Sequence, residues 1–309
     1  MIAYVFPGQG SQYAGMGRNL SENFPAARRV FEEADDALDF ALSRLCFEGD
    51  AEELQLTENT QPAILTVSVA ALRALEAEGL AKPQFVAGHS LGEYSALVAA
   101  GALSLAEAVR TVRARGRYMQ EAVLVGVGAM AAILGVETDV VQQACEEARE
   151  GEVCSPANVN SPNQIVIAGH EGAVDRACAL LKERGARRVL KLKVSAPFHC
   201  ELMRPAAERL SADLEKIEFR DLRVPLVTNV DAAIIRSGVD ARDALVRQVA
   251  SAVRWRESVE VLSREGVETF VEIGPGKVLS GLVRQTLGTT AQSLNVEDAG
   301  SLKNAVNRP

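Results

Sequence analysis

The sequence predicts an α/β protein with a mainly parallel sheet, interrupted by a small ferredoxin-like α+β unit. Three observations predict it. Short apolar runs are each followed by a glycine-bearing loop and a helical pattern. The middle of the chain instead has the order β-α-β-β-α-β. And with 309 residues, 48% of them hydrophobic, the chain can fill one large core or a large core carrying an insertion.

The parallel part is read from three strand–loop–helix units. "AYVF" (3–6) leads into "PGQGSQ", "QFVAG" (84–88) into "HSLGEYSALVAAG", and "ETFVEIG" (268–274) into "PGKVLSGLVRQTL". Alternation of this kind builds parallel sheets, whose sites gather at the carboxyl ends of the strands. The middle has another grammar. "AMAAILGV" is a strand, "DVVQQACEEAREG" a helix, and "VCSPANVNSPNQIVIAG" two strands around an Asn/Ser/Pro turn. "AVDRACALLKERGA" is a second amphipathic helix and "RRVLKLKV" a closing strand, which completes the ferredoxin-like unit. The expected division is therefore 1–125 with 196–309 for the large domain and 126–195 for the small one. A cleft between them is a natural ligand site.

Charge and cysteine usage exclude several classes. A formal net charge of −8 argues against a nucleic-acid footprint. The start, "MIAYVFPGQG", lacks a basic region and its apolar run is too short for a signal peptide. No stretch approaches the roughly 20 apolar residues of a membrane span. Five scattered cysteines without a C-x-x-C pair read as reduced thiols, neither a disulfide framework nor a zinc site. The expectation is a soluble, cytoplasmic protein without a metal.

Ser90 stands in "GHSLG", a G-x-S-x-G pattern where a strand-like run turns into a helical one. A sharp turn there needs small neighbours to leave the serine exposed, and the helix start supplies N–H groups to a developing oxyanion. A nucleophilic serine needs a base, and the chain has three histidines. His89 adjoins Ser90 and should point across the turn, and His170 opens a helix of the small unit. By elimination, His199 in "SAPFHCELM" is the base. A hydrolase triad would place an Asp or Glu between Ser90 and His199. The acids there, such as Asp139, Glu146, Asp175 and Glu183, lie on the small unit's helices. The orienting group is out of that order or is not a carboxylate.

In "LAEAVRTVRARGRYM", Leu105, Ala108, Val109, Val112, Gly116 and Met119 trace one apolar stripe. Arg110, Arg113 and Arg117 fall opposite, but Arg115 falls in or beside the stripe. A buried arginine needs a partner. Either Arg115 pairs with a protein carboxylate, or it faces the cleft and awaits an anionic substrate, which its planar fork would grip by two hydrogen bonds. The loops "PGQGSQYAGMG" and "IGPGKVLSG" lack the spacing of dinucleotide and P-loop motifs and read as turns. The first can lend an N–H to an oxyanion.

Taken together, "VFPGQGSQ", "TENTQPAIL", "GHSLGEYSAL", "RARGRYMQEAV", "NVNSPNQIVIAG", "SAPFHCELM", "DALVRQV" and "EIGPGKVLSGL" resemble, in order, the malonyl-CoA:acyl carrier protein transacylases of bacterial type II fatty acid synthesis. The resemblance implies an α/β-hydrolase-like large domain and a ping-pong malonyl transfer from malonyl-CoA to holo-acyl carrier protein. It implies Ser90 as the acylated nucleophile, His199 as base and Arg115 as the clamp on the malonyl carboxylate. It further implies backbone N–H groups of Gln9 and Leu91 as the oxyanion hole, the Gln248 carbonyl as the group orienting the histidine, and Phe198 as a wall against α-branched acyl groups. The family often has Asn-Pro where this chain has Ser251-Ala252. Thioesters are already activated, so no cofactor is expected. A serine hydrolase on the same scaffold is the rival reading. Carrier proteins of this system are acidic, and two basic clusters are candidate contacts or merely solvated faces: Arg184, Arg187, Arg188, Lys191 and Lys193, and Arg113 with Arg117.

Overall fold

A computed structural model describes residues 1–192, 194 and 196–307. Ten strands form two sheets among the described residues: β1 (Ile2–Phe6), β2 (Phe85–Gly88), β3 (Gly128–Leu134), β4 (Cys154–Ser161), β5 (Gln164–His170), β6 (Arg188–Lys191), β7 (Leu226–Val227), β8 (Ile234–Ile235), β9 (Thr269–Ile273) and β10 (Gln292–Val296). The large sheet has the order β10-β9-β1-β2-β7-β8. Its strands run parallel except β8, which pairs antiparallel with β7.

Strand side chains alternate between faces, and each face of the large sheet has its own core. Tyr4, Phe6, Val86, Leu226, Val271 and Ile273 pack on one side with the helices Thr57–Ala77, Gly92–Ala100 and Leu105–Glu121. Ala3, Val5, Ala87, Val227 and Phe270 pack on the other with Trp255, Val259, Leu262 and Leu282. Burial on both faces explains why these strands read as continuous apolar runs.

The second sheet, β4-β5-β3-β6, is antiparallel throughout. With the helices Thr138–Ala148 and Glu171–Glu183 it has the ferredoxin-like order expected from the sequence. Its closing strand is shorter than the run "RRVLKLKV". Here too the alternation is divided. Ala129, Ala131 and Ile133 pack on the unit's own helices, while Met130 and Ala132 join the core of the large domain.

Among the described residues, three polar ties hold this sheet against the large domain. Asn158 of β4 bridges to Val253, with Val253 N–H donating to Ala157 O and Val159 N–H to Val253 O, both at 2.9 Å. The Ser161 hydroxyl bonds Gln285 Oε1 at 2.7 Å, and His89 Nε2 bonds Asn160 Oδ1 at 2.8 Å.

Candidate active site

The two glycines of "GHSLG" are required by packing. A Cβ on Gly88 would stand 2.0 Å from the backbone of Gly92, and one on Gly92 would stand 2.1 Å from Phe6 O. Ser90 itself has φ +51°, the left-handed region that a side chain adopts at a cost. That cost is held by Asn229, at the carboxyl end of β7. Its Oδ1 accepts from Ser90 N–H at 2.6 Å and its Nδ2 donates to Gly88 O at 2.6 Å.

His199 also has positive φ, +59°, and is only 5% exposed. Its Nδ1 lies 2.9 Å from the main-chain oxygen of Gln248 and its Nε2 lies 2.7 Å from Ser90 Oγ. A carbonyl can only accept, so the neutral ring carries its proton on Nδ1 and presents Nε2 as the acceptor for the serine hydroxyl. Burial pushes the imidazole pKa down to about 3, with the nearby Arg115 charge as the second cause. The ring is neutral over the whole range around pH 7.

Arg115 is 1% exposed and has no carboxylate partner among the described residues. Nη1 donates to Gln61 Oε1 at 2.8 Å, while Nη2 donates to Gln248 Oε1 at 2.8 Å and to Ser90 Oγ at 3.1 Å. Its Nε has no hydrogen-bond partner among the described residues. Local sequence delivers it there. Ser104 and Glu107 form a reciprocal cap at the start of the helix Leu105–Glu121. Gly116 then lets that helix approach the start of the helix Thr57–Ala77, since a Cβ there would stand 2.6 Å from Thr57 O. The close crossing brings the guanidinium to Gln61.

The loop after β1 lies against the serine turn: a Cβ on Gly8 would stand 2.4 Å from His89 O. No acceptor among the described residues takes the N–H of Gln9 or of Leu91. Leu91 directly precedes the helix Gly92–Ala100, whose first N–H groups, those of Gly92, Glu93 and Tyr94, already donate to His89 O, Ser90 O and Leu91 O. Phe198 is buried beside His199. The Ser251-Ala252 segment is fixed without a proline, because Ser251 N–H donates to Gln248 O and Val253 is paired to β4.

The other histidines go elsewhere. His89 bonds Asn160 and packs on Trp255, with ring centroids 5.7 Å apart. His170 Nδ1 accepts from Val153 N–H at 2.9 Å. Of the basic clusters, Arg184 pairs with Glu147, and Lys191 with Glu171 and Asp175. Arg113 lies over Phe40 and Arg117 over Tyr118. Lys193 lies outside the described residues.

Sequence reasoning missed four polar residues here: Gln61, Glu93, Asn229 and the side chain of Gln248. All four are buried. One sign was available for Glu93: it is the only charged residue in the otherwise small and apolar run "GEYSALVAA", and such a run is buried all round.

A strained serine turn, a buried histidine on its hydroxyl and helices on both faces of a parallel sheet define an acyl-transfer type of protein. Residues 3–307 match the family described as acyl transferase domain. The chain is 51% identical over 306 residues to the malonyl CoA-acyl carrier protein transacylase of Bacillus subtilis strain 168, covering 99% of this chain and 96% of that one. It is 52% identical over 299 residues to the protein of that name from Escherichia coli K12, covering 96% and 97%. The crystal structure of an acyl carrier protein S-malonyltransferase from Vibrio cholerae matches with a TM-score of 0.96 at 47% identity, covering 98% of this chain and 99% of that one. A malonyl-transacylase solved in complex with its type II PKS acyl-carrier protein matches equally well, with a TM-score of 0.96 at 47% identity, covering 99% and 98%. The chain belongs to the acyl transferase family and, within it, to the malonyl CoA-acyl carrier protein transacylases.

Proposed function

We propose that this chain moves a malonyl group from malonyl-CoA to the phosphopantetheine thiol of acyl carrier protein, through a malonyl ester on Ser90, in the cytoplasm as a step of fatty acid synthesis. The observation that carries the reading is the meeting of three groups at one oxygen. Ser90 Oγ lies 2.7 Å from His199 Nε2 and 3.1 Å from Arg115 Nη2.

In the first half-reaction His199 Nε2 takes the Ser90 proton as Oγ bonds to the thioester carbonyl carbon. The oxyanion is received by the N–H groups of Gln9 and Leu91. The C–S bond then breaks, and His199 returns the proton to the departing CoA sulfur. In the second half the carrier thiol gives its proton to His199 and attacks the malonyl ester, and Ser90 leaves as the restored hydroxyl. Gln248 O holds the imidazole tautomer that both halves need. Arg115 takes the malonyl carboxylate, and by doing so balances the charge that helps to depress the His199 pKa. The base therefore strengthens when the anionic substrate is in place.

We assign the substrate cleft to the seam between the two sheets, where His89 of the serine turn meets Asn160 of β4, and assign 126–195 to the small domain and 1–125 with 196–309 to the large one. Phe198 walls the acyl pocket beside the base.

Intact-mass measurement after mixing with malonyl-CoA tests the reading. One malonyl group should appear on the protein and should move to holo-acyl carrier protein when that is added. Loss of the group to water at the same rate without any thiol acceptor makes the chain a hydrolase. No adduct at all makes it a non-catalytic binder.

A further inference from the structure

Glu93 is a fully buried carboxylate three residues after Ser90, and the transfer chemistry assigns it nothing. Its Oε2 accepts from Asn229 N–H at 3.0 Å and from Gln248 Nε2 at 2.8 Å. Its Oε1 has no hydrogen-bond partner among the described residues.

This arrangement gives the Gln248 side chain a direction. A carboxamide has one donor end and one acceptor end, and Glu93 Oε2, which already accepts from Asn229 N–H, offers it only an acceptor when the carboxylate is ionised or when the proton sits on Oε1. The donor end must face Glu93, which turns Gln248 Oε1 toward Arg115 Nη2 at 2.8 Å. Were the amide reversed, its donor end would meet the guanidinium, and Nη2 would lose the acceptor that holds it beside Ser90. Two amide oxygens, those of Gln61 and Gln248, are what aim this cation, because no carboxylate among the described residues is within salt-bridge reach of it. Gln61 holds the other nitrogen, so the edge next to the nucleophile depends on Gln248 alone.

The main-chain oxygen of Gln248 is placed by the helix Gly238–Val249 that carries it, and Asn229 has its own anchor on Gly88 O. The donor end of the side-chain amide also reaches two neutral acceptors, Ser90 O at 3.0 Å and Asn229 Oδ1 at 3.4 Å, but Glu93 Oε2 at 2.8 Å is the nearest of the three and the one carboxylate among them. We propose that Glu93 is a positioning residue: as the nearest acceptor of Gln248 Nε2 and its one carboxylate partner, it holds the amide so that Oε1 aims Arg115 at the carboxylate of an anionic acyl group. The inference rests on the malonyl-transfer reading. It is a statement about selectivity, since an acyl group without a carboxylate makes no use of the aim.

The test uses the full chain with Glu93→Met, which removes the acceptor but fills the space, and Glu93→Gln, which can still accept at the same place. Acylation of Ser90 is followed by intact mass with malonyl-CoA and with acetyl-CoA. Glu93→Met should lower malonyl kcat/KM about 10- to 100-fold, the size of one lost hydrogen bond to a charged group. The loss should lie mainly in KM, with the acetyl value changed less than about threefold, so the malonyl preference collapses. Glu93→Gln should restore most of that preference. Equal loss for both substrates, or no rescue by Gln, overturns the proposal. Gln248→Met cuts the same link from its other end, and an unchanged malonyl preference there overturns it even if Glu93→Met fails to fold. A wild-type chain that takes no malonyl group removes the transfer reading first, and this inference with it.

Discussion

Arg115 Nη2 donates to Ser90 Oγ at 3.1 Å, so a fully charged, buried guanidinium touches the proposed nucleophile directly. The cation has no carboxylate among the described residues and is held by neutral amides. Such a group is costly to bury and awaits a counter-charge. When a malonyl carboxylate supplies it, the serine oxygen is left to His199.

Arg115→Ala should therefore act on one substrate and not the other. A substrate carboxylate buried without its partner costs roughly 2–5 kcal/mol, or about 30- to several thousand-fold in kcat/KM for malonyl-CoA. Acetyl-CoA has no carboxylate and should be spared. Arg115→Lys keeps the charge but loses the fork, and should fall between. The control is Arg113→Ala, whose side chain lies over Phe40 on another face of the helix, and which should be silent for both. Equal losses with both acyl-CoAs would make Arg115 a purely structural cation.

Ser90→Ala should abolish the acyl adduct while leaving the fold intact, because only the hydroxyl is removed. His199→Ala should slow acylation by the roughly 10²–10⁴-fold typical of a general base. His170→Ala should leave acylation unchanged, as its ring is spent on Val153 N–H. Stoichiometric acylation of Ser90→Ala would place the ester on another residue.

Gly92→Ala tests the serine turn, and Gly281→Ala, in a helix away from it, is the control of opposite sign. Gly92→Ala brings a Cβ to 2.1 Å from Phe6 O, backbone against backbone, with no flexible side chain to yield. It should cost about 1–3 kcal/mol or more. Gly281, in the helix Val278–Leu287, has nothing within 4 Å of a built Cβ. Gly281→Ala should stabilise by about 0.4–1 kcal/mol through the unfolded chain. Thermal unfolding of the two variants decides it; a harmless Gly92→Ala would show that the turn can relax.

How much of this was legible follows from where each residue's signal lies. Ser90 carries its own local signature, because a tight turn dictates the glycines on both sides. His199 was reachable because only three histidines compete. Arg115 was reachable because a charge on an apolar stripe is conspicuous. Gln61 and Asn229 carry no such mark: each is an ordinary polar residue in its own segment, and those segments meet the serine turn only in the fold, while Glu93 shows only as the one charge in the run "GEYSALVAA". Glu93 in the first turn of a helix also has an ordinary explanation, since a carboxylate there is favourable against the helix dipole. The strands β7 and β8 are two residues long and too short to show a period, yet β7 is what delivers Asn229 to the turn.

The pH dependence of stability separates the two buried titrating groups of the site. Burial pushes the Glu93 pKa up to about 7, against the hydrogen bonds from Gln248 and Asn229, and the His199 pKa down to about 3. In the unfolded chain they titrate near 4.5 and 6.5. Between pH 3 and 6.5 the unfolded histidine holds more proton than the folded one, so its contribution is complete above pH 6.5 and is lost as pH falls. Between pH 4.5 and 7 the folded glutamate holds more proton than the unfolded one, so its contribution is complete below pH 4.5 and is lost as pH rises. The two slopes oppose each other from pH 4.5 to 6.5 and largely cancel. Removing one exposes the other. Stability of His199→Gln relative to wild type should rise by about 2 kcal/mol on going from pH 7.5 to 5, and that of Glu93→Gln should rise by about 3 kcal/mol from pH 4.5 to 7.5. All other titrations are common to the compared proteins and cancel in each difference. Urea unfolding across this range measures both. A His199→Gln difference that is flat from pH 7.5 to 5 would mean that the imidazole titrates normally in the folded protein, and a base exposed enough to do so is not the buried one seen here.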